Sequence, residues 1–326
     1  MPTAGNKLSG SFQAQFHRRW NHLNDPHVRA LAWLIDAPDL LNPHAPQWDG
    51  LIATLPENAG RDAREWLNAL DKEPAALHAW IDVRPFSRLG RYAEKLMAFY
   101  FRHQAILVAY GVQVRAGKND TVGEFDFLLR DGETLVHWEF ATKFYLLEST
   151  GAGQQADYFV GPNLADTLGA KMDKILRRQL SLARHPAAQV HLPQPVASAQ
   201  ALVKGWLFYH DDDPAPNREL GVSAAHCSGF WCTLAELDAM DSARYIVLAR
   251  LSWLAPAKTD FAQSLNRQAL HKMLAAHFDN DSMPVLVAIV ERQGDHAVEI
   301  DRGFIVPEDW RTRAGERIRR AATAKI

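Results

Sequence analysis

Gly123-Glu-Phe-Asp-Phe-Leu-Leu-Arg-Asp-Gly-Glu-Thr-Leu-Val-His-Trp-Glu-Phe-Ala-Thr-Lys143 is the stretch whose reading decides the fold. Two runs rich in Phe, Leu, Val and Trp flank Arg130-Asp-Gly-Glu133, and an Asp-Gly pair in that setting is a strong hairpin signal. The prediction is strand, tight turn, strand. Side chains alternate faces along a strand, so Glu139, Ala141 and Lys143 point one way and Trp138, Phe140 and Phe144 the other. The aromatic set reads as core. Register permits Asp126 to meet the face of Glu139, which brings two carboxylates and an amine together on an otherwise apolar sheet.

Burying an unpaired carboxylate costs several kcal/mol, and a bound cation offsets that cost. Two carboxylates, with waters and a phosphate oxygen completing the shell, describe a magnesium site that manganese can also fill. Such a site polarises a phosphodiester and activates water, and Lys143 orients that water or stabilises the phosphate. Glu94, on the helix before the sheet, is a candidate for a further ligand or for a hydrogen bond to a metal-bound water. Glu124 shares the strand parity of Asp126 and reads equally as a ligand or a solvated rim charge. His137 shares the face of Glu139 and reads as a core or rim histidine. The rival reading of Asp126, Glu139 and Lys143 is a salt-bridge cluster on an exposed sheet face.

Outward from the hairpin, Leu89, Tyr92, Leu96 and Phe99 mark an amphipathic helix from Leu89 to about Gln104. The segment from Ala105 to Val114 begins as helix and ends as strand. After the hairpin, Asn163 is a good N-cap with Asp166 three residues on, and Leu164, Leu168, Met172, Ile175 and Leu176 form the buried stripe of the next helix. Ala201 to Tyr209 reads as another strand. Residues 1–85 form a helical cap, with apolar spacing over His27 to Ile35 and further helices from Ala63 to Leu70 and across Pro74 to Ile81. Residues 86–210 form the core, and residues 211–326 an α/β extension. That extension has a helix near Leu234 to Met240, strands over Tyr245 to Leu251 and Pro284 to Glu291, the run Phe304 to Pro307, and a basic helix from about Glu308. This order of elements is an α/β fold with mixed strand directions.

These residues resemble known families. The hairpin from Gly123 to Glu139 is similar to that of PD-(D/E)XK endonucleases, whose Asp and Glu bind magnesium and whose upstream helix glutamate often assists. The resemblance covers about Gly90 to Gln179 and implies a restriction-endonuclease-like core. Gly90-Arg-Tyr-Ala-Glu94, Gly123-Glu-Phe-Asp126, His137-Trp-Glu-Phe-Ala-Thr-Lys-Phe-Tyr-Leu146 and Gly161-Pro-Asn163 together look like a bacterial domain-of-unknown-function family, number 1853. One departure stands out. The superfamily places lysine two residues after the glutamate, where this chain has Ala141. Lys143 keeps the face but starts about 7 Å further along the strand. In some relatives the helix after the hairpin contacts nucleic acid, which makes Lys171, Lys174, Arg178 and Gln179 candidate phosphate contacts. The alternative is a solvated basic face.

The chain has 326 residues, 47% hydrophobic and 23% charged, with a formal net charge of -2. That balance argues against coating nucleic acid by bulk charge and leaves room for a local basic groove. Its two cysteines, Cys227 and Cys232, lack the further ligands of a zinc site and read as buried thiols in a reducing cytoplasm. No run of about 18 apolar residues occurs, so no membrane span is expected. Phosphate loops, Gly-x-Ser-x-Gly elbows and His-Glu-x-x-His helices are absent, and Gly151-Ala-Gly153 lacks the context of a dinucleotide fingerprint. No segment marks a subunit interface. Two functional classes follow. One is a magnesium-dependent nuclease, acting on DNA more than RNA. The other is a non-catalytic nuclease-fold protein that binds nucleic acid or protein.

Overall fold

The computed structural model describes residues 11–82, 88–117, 120–148, 156–211, 220–237, 240 and 244–323. The helical layer comes first in the chain. It comprises α1 (Phe12–Trp20), α2 (Pro26–Asp36), α3 (Ala59–Asp62), α4 (Arg64–Lys72), α5 (Ala75–Ile81) and α6 (Leu89–His103). α2 starts where Asp25 accepts hydrogen bonds from the amides of His27 and Val28, with Pro26 at a position that needs no donor. α6 buries Leu89, Tyr92, Leu96 and Phe101, in keeping with its helical spacing.

The strands are β1 (Leu107–Gly117), β2 (Asp120–Asp131), β3 (Thr134–Leu147), β4 (Phe159–Val160), β5 (Val196–Tyr209), β6 (Cys227–Thr233), β7 (Tyr245–Val247), β8 (Lys258–Asp260), β9 (Val285–Gln293) and β10 (His296–Val306). Between them lie α7 (Leu168–Lys174), α8 (Leu234–Leu237) and α9 (Arg267–Phe278), and α10 (Trp310–Thr323) follows β10. One mixed sheet runs in the order β1-β2-β3-β5-β6-β10-β9-β7, with β4 on β3 and β8 on β10. β1, β2 and β3 form an antiparallel meander, whereas β3, β5, β6 and β10 run parallel. The fold is therefore α/β with a large mixed central sheet. The sheet continues unbroken from the hairpin strands into those after residue 211.

β3 and β5 are buried on both faces, as central strands of parallel sheets are. Phe140, Phe144, Leu202, Trp206 and Phe208 pack in the cluster that includes α2 and α6. Ala141, Tyr145, Leu147, Ala201, Val203 and Leu207 pack on the other side with Leu168 and Met172 of α7. The two strands approach closely at Gly205, which pairs with Lys143. A Cβ at Gly205 would collide with the Lys143 carbonyl oxygen. Gly205→Ala is therefore expected to push β5 off β3 and destabilise the protein by about 2 kcal/mol or more, read as a fall in urea midpoint. A variant as stable as the parent would mean that the strands are not held so closely.

Several elements differ from the sequence reading. The helix predicted to start at Asn163 begins instead at Leu168, with Thr167 as the N-cap whose hydroxyl oxygen accepts from the Ala170 amide. Asn163 and Asp166 lie in the preceding loop, where the Asn163 side chain accepts from Ala165 N and the Asp166 carbonyl accepts from Gly161 N. A local Asx turn won over helix initiation there. Past α7 the chain makes a π-helical turn, Ile175–Gln179, that periodicity does not foresee. Ala105 to Val114 contains no helix beyond α6; Ala105 takes φ +57 and the strand starts at Leu107. Strand β6 comes from a segment noted only for its cysteines, and both are buried and free. Gly151-Ala-Gly153 lies outside the described residues.

Candidate functional site

The ladder between β2 and β3 ends at the pair Phe127–Trp138. Asp126 and Glu139 are the next residues on each strand, and continued register would set them opposite each other. Beyond that pair the strands part. The opening is bridged by a side chain, since Asp126 Oδ2 accepts from the backbone N–H of Phe140 at 2.9 Å. The tight turn that closes the hairpin sets the register of this ladder, and so fixes by local geometry where the two carboxylates meet.

Glu139 is 1% exposed, and both its oxygens are engaged. Oε1 lies 2.8 Å from His137 Nε2, and Oε2 accepts from the amide of Gln179 on the π-helical turn. Burial pushes the Glu139 carboxyl up to about 7, with hydrogen bonding to Asp126 and then the charge of Lys171 opposing the rise and Glu94 and Glu124 adding to it. Burial and then the nearby Glu139 raise Asp126 to about 7. Burial, then Asp126 and Glu124, raise Glu94 on α6 to about 7. Burial also pulls His137 down to about 4, so its imidazole is neutral at pH 7. Three carboxyls that desolvation and mutual repulsion keep from ionising together form one titrating unit.

Glu94 and Asp126 line a cleft of about 920 Å³. Its lining carries six cationic side chains, Arg88, Arg91, Lys143, Lys171, Lys174 and Arg250, against the acids Glu94, Glu124, Asp126 and Asp166. The cleft is thus locally basic in a chain whose formal net charge is -2. Trp253 and Met283 complete a wall contributed by the C-terminal part. The loop carrying Asp166 is held by α10. Trp310 Nε1 donates to the Pro162 carbonyl at 3.0 Å, and Arg317 Nε to that of Leu164 at 3.2 Å. Leu164 takes φ +59, a conformation that L side chains rarely adopt and that these contacts maintain.

Of the residues predicted from sequence, Glu94, Asp126, Lys143, Lys171, Lys174 and Gln179 line this cleft. Glu139 joins it through its bond to Gln179. Arg178 is exposed and is not part of the lining. Lys143 points to Asp166, its Nζ 3.1 Å from Oδ2, which also accepts from Tyr145 OH at 3.2 Å. Arg88, Arg91, Asp166 and Arg250 also line the cleft and are not among the residues predicted from sequence. Arg91 had a signal, being three residues before Glu94 on one helix and so on a neighbouring face. Arg250 had none, because it arrives from beyond β7.

Hard carboxylate oxygens suit magnesium or manganese better than zinc. Among the described residues no group of three or more His, Cys, Asp or Glu side chains is placed to hold a metal ion. A pair of carboxylates is what the mode requires in which one or two of them bind magnesium and waters and phosphate oxygens fill the remaining positions. Asp126 and Glu139 would be that pair.

The chain is an α/β protein in which the half-buried carboxylates Glu94 of α6 and Asp126 of β2 stand with the buried Glu139 of β3 at a locally basic cleft. Residues 29–306 match the family described as Domain of unknown function (DUF1853), and the chain belongs to that family. No curated protein and no solved structure matches it. Among the described residues no helix is long and apolar enough to cross a membrane.

Proposed function

We propose that this protein is a magnesium-dependent nuclease of PD-(D/E)XK type, hydrolysing phosphodiester bonds of nucleic acid, DNA in preference to RNA. The observation that carries this reading is the cluster of Glu94, Asp126 and Glu139, held against desolvation beside a rim of Arg and Lys side chains. Asp126 and Glu139 would hold the ion, which supplies Lewis acidity toward a phosphate oxygen and toward water. Arg88, Arg91, Lys174 and Arg250 bind and orient the sugar-phosphate backbone, without reading sequence. His137 and Gln179 fix the Glu139 carboxylate by hydrogen bonds to its two oxygens. Two free buried thiols suit a reducing cytoplasm.

Titration calorimetry of Mg²⁺ and Mn²⁺ into the wild type, Asp126→Ala and Glu139→Ala tests the proposal. Binding should be present in the wild type and lost in both variants. Its pH dependence has a definite sign. Protons compete with the ion at carboxyls raised to about 7, so affinity should rise about tenfold or more between about pH 6 and pH 8, with proton release on binding. An absence of binding both alone and with DNA present would leave a nuclease fold serving only as a binding module.

A further inference from the structure

Three lysines, Lys143, Lys171 and Lys174, line the cleft, and the surroundings of the first two differ. Lys143 is matched by a carboxylate of its own, Asp166, and its Nζ lies 5.8 Å from the centre of the Tyr145 ring. Lys171 comes from α7, is partly buried, and has its Nζ 3.4 Å from Gln179 Oε1. Gln179 in turn donates to Glu139 Oε2. One amide thus joins the Lys171 ammonium to the buried carboxylate, and the π-helical turn Ile175–Gln179 brings the two ends of this relay together.

Packing explains why the amine comes from the helix. Ala141, two residues after Glu139, lies in the same apolar cluster as Leu168, Met172 and Ile175. A small side chain there lets α7 sit on the sheet, and Lys171, adjacent to Met172 in the helix, then lines the cleft. Electrostatics agrees with the geometry. Lys171 is among the charges acting on both Glu94 and Glu139. Burial and then Lys143 lower its own pKa, and Asp126 and Glu139 counter that.

We propose that Lys171, rather than Lys143, supplies the positive charge at the scissile phosphate. The assignment rests on the nuclease reading. In the hydrolysis, water contributes its oxygen and one hydrogen to the phosphate and its other hydrogen to the departing sugar oxygen. The bond from phosphorus to that sugar oxygen breaks. Lys171 remains an ammonium throughout and donates to a non-bridging phosphate oxygen whose charge grows on the way to the transition state. Lys143, paired with Asp166, shapes the wall of the cleft.

The test compares wild type, Lys171→Met and Lys143→Met in three measurements. Single-turnover cleavage of an oligonucleotide with Mn²⁺ gives the rate, calorimetry gives Mn²⁺ affinity, and oligonucleotide binding with Ca²⁺ in place of Mn²⁺ gives the salt dependence. Lys171→Met should cleave at least about a hundredfold more slowly while binding Mn²⁺ within a few-fold of wild type. Its salt slope should fall by about one, the signature of a lost phosphate contact. Lys143→Met should lose less on both counts. If Lys171→Met does not fold, Lys171→Gln, which can still hydrogen-bond to Gln179, carries the comparison. Equal losses, or a larger loss at Lys143, would overturn the assignment and leave the nuclease reading standing. A wild type that cleaves nothing would overturn both.

Discussion

Asp126→Asn is expected to abolish cleavage and metal binding and, in metal-free buffer at about pH 8, to make the protein more stable. The two effects have one cause. Asp126 is raised to about 7 in the folded protein by burial and by Glu139, while an unfolded aspartate titrates at about 3.9. The folded state therefore binds more protons between those values. The associated stability is fully present below the unfolded pKa and is lost as pH rises through about 7. Above that, the wild type carries an uncompensated charge that the amide of D126N does not. The side-chain oxygen of that amide could still accept from the Phe140 N–H, as the carboxylate of Asp126 does at 2.9 Å. The gain should be about 1–2 kcal/mol, given the partly open position of the carboxylate. It should vanish at about pH 4 and reverse when Mn²⁺ is added, because only the wild type then gains binding energy. Thermal melts at the two pH values, with and without Mn²⁺, read this directly. A variant less stable than wild type at the higher pH without metal would point instead to a structural ion-pair cluster.

Breaking the buried pair Glu299–Arg302 should have the largest effect on stability. Arg302 is 0% and Glu299 1% exposed. The guanidinium donates from Nε to Oε1 at 2.6 Å and from Nη2 to Oε2 at 2.8 Å, a bidentate geometry. It also donates to the carbonyls of Trp253 and Ala255, and it lies 4.1 Å from the centre of the Trp206 ring. Glu299 Oε2 accepts from Ala257 N at 2.7 Å, and the Glu299 carbonyl lies 3.0 Å from His17 Nε2. The pair therefore ties β10 to the segment 253–257, to β5 and to α1. Removing one partner leaves the other charge buried alone, so Arg302→Ala or Glu299→Ala should cost about 3–5 kcal/mol. Replacing both with apolar residues of similar volume should cost less than either single change. Urea unfolding of the three variants, at matched slopes, measures this. Because Trp253 lines the cleft, the single variants should also weaken oligonucleotide binding. Additive losses in the double variant would mean that the pair is not coupled.

The hairpin and its carboxylates were legible in the sequence because the signals are local. Asp131-Gly132 sets the turn, a period of two sets the faces, and the register permits Asp126 to meet Glu139, the next residue on each strand beyond the pair Phe127–Trp138. The helix Leu89–His103, and with it Glu94, follows from apolar spacing in the same way. The core assignment of Phe140 and Phe144 needed nothing beyond strand parity. Distant meetings leave no such mark. Asn163 and Thr167 both carry side chains suited to capping α7, and the packing of Leu168 and Met172 on β3 and β5 selects Thr167. The approach of Lys171 and Gln179 to Glu139 depends on a π-helical turn and on the small side chain at Ala141. Arg250 and Trp253 reach the cleft only because β6 and β10 extend the sheet in parallel from β5, a pairing between residues far apart in the chain. Sequence by itself determined which carboxylates face one another, since a tight turn and strand periodicity act over a few residues. Tertiary structure decided how deeply they are buried and which amine stands beside them, since desolvation and charge coupling depend on what packs around a group in space.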